Sequence, residues 1–278
     1  MSLRCVYLDL DGTLLGRGAS LFHDGEGSVS LLGARAVEAC LRAEVEVVLV
    51  SGRNQAQVAE DARLLGQRAY VFEAGACLVA DGEEFWMTGA FDPHAELTIH
   101  AQIERSGAPA LLLDHYADRL EYHEPFHRNR RVSHLFRGLV DAFEAGDLLA
   151  ANGHDGLRLV DNGVVHSRSE RLAALPQVRA YHLVPSDASK AAACARHRRM
   201  RAYEREDCLA IGDSREDLAI GEHVGTFWLV ANALERDPTL REALPGNVRV
   251  AEAGHGPGVY EAVVTTLAEA RGGAGARA

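Results

Sequence analysis

Residues 6–15 read Val-Tyr-Leu-Asp-Leu-Asp-Gly-Thr-Leu-Leu, so an apolar run is followed by two carboxylates and a turn glycine. The run predicts a buried parallel strand, because strands covered on both faces are almost continuously apolar. Asp9 and Asp11 then point the same way at the carboxyl end of the strand, where open α/β sheets bind ligands. Gly12 permits a sharp exit and Thr13 adds a hydroxyl, although Asp-Gly pairs also occur in ordinary surface turns.

Three later segments carry groups that suit phosphate chemistry. Residues 46–50 form a second buried-strand pattern, which leads into Ser-Gly-Arg at 51–53: a hydroxyl, a close backbone approach and a cation. Lys190 lies at the start of a helical pattern, and the apolar run at 208–211 leads into Gly-Asp-Ser-Arg-Glu-Asp at 212–217. The predicted strands therefore end in polar groups of complementary chemistry.

The order of these segments resembles the haloacid dehalogenase superfamily of phosphatases. The four motifs of that superfamily match Asp9-x-Asp11-Gly12-Thr13, Ser51, Lys190 and Gly212-Asp213-Ser214-x-x-Asp217, in the right order. The resemblance extends over roughly residues 3–232. It implies an α/β fold, with a Rossmann-like parallel-sheet core and a smaller inserted α+β cap domain.

The long interval between Ser51 and Lys190 narrows the resemblance to those members of the superfamily that have a cap domain inserted between the second and third motifs. Caps inserted there occur in Cof-type sugar phosphatases, mannosyl-3-phosphoglycerate phosphatase, sucrose-phosphate phosphatase and eukaryotic-type phosphomannomutases, which this chain resembles most. Ala74, in Phe-Glu-Ala-Gly-Ala at 72–76, stands where those proteins usually have Asn. We expect a discontinuous core domain at 1–83 and 186–271, a cap at 84–185 and a disordered tail at 272–278.

The resemblance and the chemistry of the side chains together imply catalytic roles. Asp9 is expected to attack phosphorus and to form an aspartyl-phosphate. Asp11 is expected to act as general acid and then base, and Lys190 to neutralise charge on the phosphoryl oxygens. The residues expected to bind phosphate and substrate are Thr13, Ser51, Gly52 and Arg53. Arg53 could instead pair with a nearby acid.

Mg²⁺ is the expected cofactor, because an ionised nucleophile repels a phosphate dianion and Mg²⁺ prefers oxygen ligands. The expected metal ligands are Asp9, Asp11, Asp213 and Asp217, with Asp11 using its backbone carbonyl as the resemblance implies. Asp217 could bind the metal directly, bind it through water, or orient Lys190. Ser214 could contact the metal or cap the following helix.

The composition suits a globular protein with one large domain or two modest ones, since 47% of the 278 residues are hydrophobic. No apolar run approaches the ~18 residues of a membrane span, and the N-terminus lacks a signal-peptide pattern. We therefore expect a soluble protein in the cytoplasm. Its five cysteines form no Cys-x-x-Cys pair and are expected to be reduced packing residues.

The formal net charge of −11 argues against nucleic acid as a partner, since proteins that bind it gather a basic surface. Residues 119–138 depart from this acidic average, with five Arg against two Glu and three interleaved His. Such a surface suits an anionic substrate contacted by Arg130 and Arg131. A solvated face with internal ion pairs is the interpretation that such a composition favours.

Hydrophobic periodicity and turn residues predict alternating strands and helices. The core strands are expected at 4–9, 45–50, 69–73, 207–211, 226–230 and 247–250, with a hairpin turn at Asp81-Gly82. Core helices are expected near 30–43, 54–66, 215–222, 235–243 and 257–271, besides the one at Lys190. In the cap we expect helices at 94–106 and 138–150, strands at 157–160 and 164–167 joined by an Asn162-Gly163 hairpin, and a strand at 178–184.

These observations favour a Mg²⁺-dependent phosphomonoester hydrolase that acts on a small metabolite, such as a sugar phosphate or a phosphorylated sugar acid. Its partner is then a small phosphate ester, and neither a nucleic acid nor a membrane. A phosphomutase of the phosphomannomutase type is an alternative, since it would use the same groups to return the phosphoryl group to a second hydroxyl. A non-catalytic sugar-phosphate sensor is another, and it would bind without turnover.

Overall fold

The computed structural model describes residues 2–165 and 169–275, and within them the strands form two β-sheets. The strands are β1 (Cys5–Asp9), β2 (Glu46–Val50), β3 (Ala69–Phe72), β4 (Cys77–Ala80), β5 (Glu83–Trp86), β6 (Leu120–Tyr122), β7 (His134–Gly138), β8 (Leu157–Val164), β9 (Arg179–Pro185), β10 (Cys208–Gly212), β11 (Thr226–Leu229) and β12 (Val248–Val250).

Nine α-helices lie within the described ranges. They are α1 (Leu32–Arg42), α2 (Gln55–Leu64), α3 (Ile99–Ser106), α4 (Ala108–His115), α5 (Ala142–Ala151), α6 (Lys190–Met200), α7 (Arg215–Leu218), α8 (Ala231–Arg236) and α9 (His255–Gly275).

The larger sheet has the strand order β12-β11-β10-β1-β2-β3-β4-β5. The first six strands of this order run parallel, and β4 and β5 add an antiparallel edge. On β1, Val6 and Leu8 pack into one buried cluster while Cys5 and Tyr7 pack into another. Because neighbouring side chains on a strand point to opposite faces, this sheet has a core on each side.

The smaller sheet is antiparallel, in the order β6-β7-β9-β8, and lies within the segment predicted to be the cap. It has its own buried cluster, in which Tyr181 and Phe136 are the largest fully buried side chains. Val140 donates its backbone N–H to the hydroxyl of Tyr181 at 3.2 Å, and that hydroxyl donates to the carbonyl of Val140 at 2.9 Å. A buried tyrosine needs such partners for its polar end.

The structure confirms the α/β class and most of the core strands predicted from sequence. The Asp81-Gly82 hairpin is also confirmed, since Ala80 and Glu83 are paired across it. The predicted helix at 235–243 is wrong in its extent, because α8 ends at Arg236 and a separate 3-10 turn covers Pro238–Ala243. The residue before a proline is disfavoured in helical geometry, and Asp237 accordingly leaves it.

The hairpin predicted in the second half of the inserted segment is wrong. Asn162-Gly163 does not close a hairpin, because β8 continues through it to Val164 and pairs with β9 across an irregularity between Asp161 and Val164. Gly163 has φ +93°, and the same left-handed preference that suits a hairpin turn also suits a bulge. Residues 166–167 of the predicted second strand fall outside the described residues.

The predicted helix at 138–150 begins too early. Gly138 ends β7, and the helix starts at Ala142 after Asp141, whose side chain accepts the backbone N–H groups of Phe143 and Glu144. The elements β6, β7 and α4 were not predicted, because segments of three, five and eight residues are too short to show a clear periodicity. At the other end, α9 includes residues 272–275, which composition assigned to a disordered tail. A formed helix gains one hydrogen bond for each residue that it adds, which favours its extension. Residues 276–278 are outside the described ranges.

All five cysteines lie within the described residues, and each is buried and unbonded to another cysteine. Among the same residues, no helix has both the length and the apolarity that a membrane crossing requires.

Candidate active site

The strands on either side of β1 bring the predicted site residues together. β1 pairs in parallel with β2 and β10, so Asp9, Ser51 and Asp213 lie at adjacent strand ends. Lys190 begins α6, where Ser189 caps the helix by accepting the backbone N–H of Ala192 at 3.4 Å. All four motif segments therefore meet at one edge of the larger sheet.

Lys190 is buried between two carboxylates. Its Nζ donates to Asp9 Oδ1 at 2.8 Å and to Asp217 Oδ1 at 2.7 Å. Burial lowers the pKa of Lys190, but the charges of Asp217 and Asp9 outweigh this and raise it above its ordinary value. A buried cation is costly unless it is paired, so these two carboxylates keep Lys190 charged and fix its position.

The other oxygen of Asp9, Oδ2, is buried and has no hydrogen-bond partner among the described residues. Burial raises the pKa of Asp9 well above its ordinary value, and Asp217 and Asp213 add to the effect although Lys190 opposes it. Burial, together with the charge of Asp217, likewise raises the pKa of Asp213 to about 7. The site therefore holds more negative charge than its own cations balance.

Carboxylate oxygens of Asp9, Asp213 and Asp217 lie within 4.8 Å of one another. Crowded carboxylates of this kind are stabilised in their ionised form by a cation, and an all-oxygen donor set suits Mg²⁺. Oδ2 of Asp9 has no hydrogen-bond partner among the described residues, so it is available as a metal ligand. The residues present thus fit the cation that the sequence implied.

Asp217 has both of its oxygens engaged. Oδ2 accepts the backbone N–H groups of Asp213 at 3.3 Å and Ser214 at 3.1 Å, as well as the Ser214 hydroxyl at 2.6 Å. Ser214 in turn caps α7 by accepting the backbone N–H of Asp217 at 3.2 Å. Of the alternatives left open by the sequence, these contacts favour Asp217 as the residue that orients Lys190 and Ser214 as a helix cap.

Asp213 makes two further contacts across the site. Its Oδ1 accepts the Thr13 hydroxyl at 3.5 Å, and its Oδ2 accepts Nη1 of Arg236 at 2.9 Å. Gly12 passes close by, because a Cβ there would lie 2.2 Å from Asp213 Oδ2, and its φ of +87° also requires glycine. Asn232 holds this turn by donating Nδ2 to the carbonyl of Gly12 at 2.8 Å.

Asp11 lies at the mouth of the site, where Arg53 binds it. Nε and Nη2 of Arg53 donate to the two oxygens of Asp11 at 2.7 Å and 2.6 Å, while Nη1 donates to Asp61 at 2.8 Å. Burial lowers the pKa of Arg53, but Asp11 and Asp61 raise it above its ordinary value. Arg53 therefore pairs with acids in this structure, and it remains a cation beside the expected phosphate position.

Ser51 is buried, and its Oγ accepts the backbone N–H of Arg53 at 3.2 Å. Its carbonyl accepts the backbone N–H of Ala74 at 3.2 Å, which ties the segment at 72–76 to the end of β2. Ala74 has φ 58°, in the left-handed region where Asn is tolerated better than Ala. An Asn at this position, which the resemblance led us to expect, would therefore suit the backbone conformation better than Ala does.

Glu73 is fully buried and contacts the segment that was predicted to be the cap. Its carboxylate accepts the backbone N–H groups of Arg131, Val132 and Ser133 at 2.8, 3.0 and 2.6 Å. It also accepts the Ser133 hydroxyl at 2.9 Å. This core carboxylate is thus hydrogen-bonded by a loop of the cap, next to the end of β2.

Two cavities meet at Asp11. One, of about 540 Å³, is lined by residues that include Asp11, Asp213, Arg236 and Asn162. The other, of about 520 Å³, is lined by residues that include Asp11, Gly52, Arg53, Arg130 and His182. Both give a small molecule access to the predicted catalytic group.

Sequence reasoning missed three residues of this site. Arg236 and His182 belong to no recognisable motif, because their contacts depend on how α8 and β9 pack. Glu73 did carry a signal, since it lies in the segment at 72–76 that supported the resemblance.

Comparison with known proteins shows similarity of structure. The chain is similar to the solved structure of Thermoplasma acidophilum 0175, with 17% identity, a TM-score of 0.63, and 96% of this chain and 99% of that chain covered. It is similar to the sucrose-phosphatase of Synechocystis sp. PCC6803, with 16% identity, a TM-score of 0.62, and 96% and 98% covered. A haloacid dehalogenase-like hydrolase from Bacteroides thetaiotaomicron gives 16% identity, a TM-score of 0.60, and 95% and 99% covered.

No family model matches the sequence, and no curated protein matches it. The structural matches cover nearly the whole chain and include both sheets, so they concern the core and the inserted segment alike. The chain therefore has the fold of these solved structures, among them a sucrose-phosphatase and a haloacid dehalogenase-like hydrolase, and this is the α/β fold that its sequence motifs implied.

Proposed function

We propose that this protein is a Mg²⁺-dependent phosphomonoester hydrolase that works through an aspartyl-phosphate on Asp9. One observation carries the proposal: Lys190 holds Oδ1 of Asp9 at 2.8 Å while Oδ2 is buried without a partner among the described residues. A carboxylate with one oxygen fixed and the other available is arranged for nucleophilic attack. The fold shared with a sucrose-phosphatase and other hydrolases supports the proposal.

In the first step, an oxygen of Asp9 bonds to phosphorus and the bond from phosphorus to the ester oxygen breaks. Asp11 gives its proton to the leaving alkoxide, while Lys190, the Ser51 hydroxyl and the Gly52 backbone stabilise the phosphoryl oxygens. In the second step, a water molecule gives a proton to Asp11 and attacks phosphorus, which releases inorganic phosphate and restores Asp9. The ester alcohol and phosphate are the products.

Asp9, Asp213 and the backbone carbonyl of Asp11 are the residues that would hold Mg²⁺, and Asp217 would orient Lys190. When bound, the cation offsets the repulsion between the carboxylates and an incoming phosphate dianion. Thr13, through its contact with Asp213, keeps that carboxylate directed into the site.

The division into a core at 1–83 and 186–271 and a cap at 84–185 is part of this proposal. It is supported by the separate buried cluster of the smaller sheet and by the contact of Glu73 with the cap loop. We propose that the cap closes over the ester and excludes water while the intermediate forms. The same proposal includes the substrate, which is a small sugar phosphate or a phosphorylated sugar acid. It also includes a cytoplasmic location and the expectation that neither nucleic acid nor a membrane is a partner.

The test is release of inorganic phosphate from a panel of sugar phosphates, phosphoglycerates and nucleotides, with Mg²⁺ and after chelation. We expect release that depends on Mg²⁺ and is lost in Asp9→Asn. Asp114→Asn, which changes an exposed aspartate on α4, is the matched control and keeps the wild-type rate.

The outcomes separate the alternatives. Normal turnover by Asp9→Asn contradicts the nucleophile assignment. Release that requires a bisphosphate primer favours the phosphomutase, and binding of esters without turnover favours the sensor.

A further inference from the structure

Arg130 is a buried cation without a carboxylate partner among the described residues. It is 8% exposed, and its donors reach neutral acceptors: Nε the carbonyl of Phe126 at 3.0 Å, and Nη1 the carbonyl of Gly52 at 3.0 Å and the Ser133 hydroxyl at 3.1 Å. The Nη2 group has no acceptor within the described ranges. Because unpaired buried charges are costly, such a residue indicates a site for an anion.

Among the described residues, the negative charge that acts on Arg130 is that of Glu73. The Ser133 hydroxyl lies between the two, since it accepts from Arg130 and donates to Glu73. Glu73 is already satisfied by three backbone N–H groups and the Ser133 hydroxyl. Burial lowers the pKa of Arg130 even though the charge of Glu73 opposes the shift. Glu73 therefore compensates Arg130 only in part.

The other arginines of residues 119–138 have partners on the protein. Arg131 pairs with Glu84 and lies 4.7 Å from the ring centre of Trp86, outside the site. Nε of Arg137 donates to Oε1 of Glu121 at 2.7 Å, and Nη2 of Arg128 lies 3.9 Å from Oε1 of Glu124. Arg119 donates to the carbonyl of Leu139 at 3.0 Å. Arg119 is exposed to solvent, so among the described arginines of this segment Arg130 is the buried one whose charge no carboxylate pairs.

His182 adds a hydrogen-bond acceptor beside Arg130. The Ser133 hydroxyl donates its only proton to Glu73. Its oxygen lies 3.3 Å from Nδ1 of His182, and towards that nitrogen it can act only as an acceptor. His182 Nδ1 must therefore carry the ring proton, since burial and the charges of Arg130 and Lys190 lower the pKa of His182 far enough to keep it neutral. This leaves Nε2 as an acceptor. Nε2 lies beside Gly52, since a Cβ on that glycine would be 2.8 Å from it.

Arg130 and His182 line the cavity of about 520 Å³ that also reaches Asp11, Gly52 and Arg53. Asp11 is the expected proton donor to the leaving group, so this cavity begins where the ester oxygen would depart. Leu135 and Ala180 supply apolar walls. An anion bound to Arg130 would lie close to the phosphate, because Arg130 already contacts the Gly52 carbonyl.

We propose that this cavity is the leaving-group subsite, and that it takes a short phosphorylated hydroxy acid, with the carboxylate on Arg130 and a hydroxyl donated to His182. The inference rests on the proposed hydrolase function and names its substrate class. It favours an acid over a neutral sugar, since a neutral leaving group would leave Arg130 unpaired.

The test compares 3-phosphoglycerate with glycerol 3-phosphate, which differ only in that a carboxylate replaces a hydroxymethyl group. We expect wild-type kcat/KM to be about 10- to 100-fold higher for the acid, the range for a hydrogen bond between charged groups. Arg130→Gln should reduce this preference to about threefold or less. Arg128→Gln removes an exposed arginine of the same segment and should leave the preference and the rate unchanged.

Binding of the same two esters to Asp9→Asn, measured by calorimetry in Mg²⁺, separates the subsite from the reaction. If Asp9→Asn binds 3-phosphoglycerate more tightly than glycerol 3-phosphate and Asp9→Asn/Arg130→Gln does not, the subsite is supported. If the wild type also turns over neither ester, the same result overturns the hydrolase. Turnover by the wild type with equal kcat/KM for both esters overturns the subsite and leaves the hydrolase. An acid preference that persists in Arg130→Gln also overturns it.

Discussion

Arg53 binds both carboxylate oxygens of Asp11, at 2.7 Å and 2.6 Å, although the two residues are 42 positions apart in the sequence. A bidentate contact of this kind is strong and fixes the orientation of the carboxylate. It also engages the group that the proposed mechanism uses as a proton donor. A bound phosphate would compete with Asp11 for the same guanidinium, so substrate binding would release Asp11 for proton transfer.

Replacement of Arg53 by Met tests this competition. We expect Arg53→Met to raise KM for phosphate esters about 10-fold, because a charge-assisted contact with the phosphate is lost, with a smaller effect on kcat. Steady-state kinetics on the best ester of the panel measures both. Arg63→Met, which changes an exposed arginine on the helix that follows Arg53, is the control. A fall in kcat at constant KM would show instead that Arg53 serves only to position Asp11.

Arg236 binds the carboxylate of Asp213, a proposed metal ligand, with Nη1 2.9 Å from Oδ2. Two cations compete for this carboxylate, so we expect Arg236→Met to lower the Mg²⁺ concentration for half-maximal activity about threefold or more. Titration of activity with Mg²⁺ gives the value. Arg241→Met removes the same charge from a neighbouring exposed position, and the midpoint should not change. A higher midpoint in Arg236→Met would contradict the competition.

The motif residues were predictable because each follows an apolar run or begins a helix, and parallel strands bring such ends together. Asp9, Ser51 and Asp213 are examples, and their neighbourhood follows from the strand order. Arg130 and Arg131 could not be told apart in the sequence. Their roles diverge because one faces the Gly52 carbonyl and the other faces Glu84, which only the packing of cap on core decides.

Asn162-Gly163 shows a second limit. The pair specifies a left-handed backbone, but a hairpin and a bulge both require that conformation. Pairing with β9 continues past Asp161 to Val164, and this non-local pairing selects the bulge. Local preference therefore accounts for the left-handed φ of Gly163, but the hairpin that it predicted is wrong.

Gly75 links the segment at 72–76 to the start of α6. A Cβ at this position would lie 2.1–2.4 Å from backbone atoms of Ser189 and Lys190, and its φ is +95°. We expect Gly75→Ala to lower the free energy of unfolding by about 3 kcal/mol, from overpacking together with left-handed strain. Urea denaturation measures the change. Gly82→Ala has a similar φ of +86° but open space, so it should cost only about 1 kcal/mol. Equal losses in the two variants would contradict the packing argument.

Glu46 is held at the opposite end of β2 from the site. Its carboxylate accepts Nη2 of Arg201 at 2.9 Å and the Tyr203 hydroxyl at 3.0 Å, and it lies 3.5 Å from Nε2 of His197. Burial raises the pKa of Glu46, but these partners outweigh burial and lower it to about 2. The folded protein thus binds the proton of this group less readily than the unfolded chain does.

This difference predicts a pH-dependent contribution to stability. A carboxyl with a lowered pKa stabilises the fold above its ordinary pKa, and the contribution is lost as the pH falls from about 4.5 towards 2. We expect Glu46→Gln to cost about 2 kcal/mol at pH 7, with a gap to wild type that narrows across that window. Urea denaturation at pH 7, 4.5 and 3 measures the gap. Glu38→Gln, an exposed partner of Arg42, should cost under about 0.5 kcal/mol at any of these values. A constant gap for Glu46→Gln would mean that its packing, and not its charge, stabilises the fold.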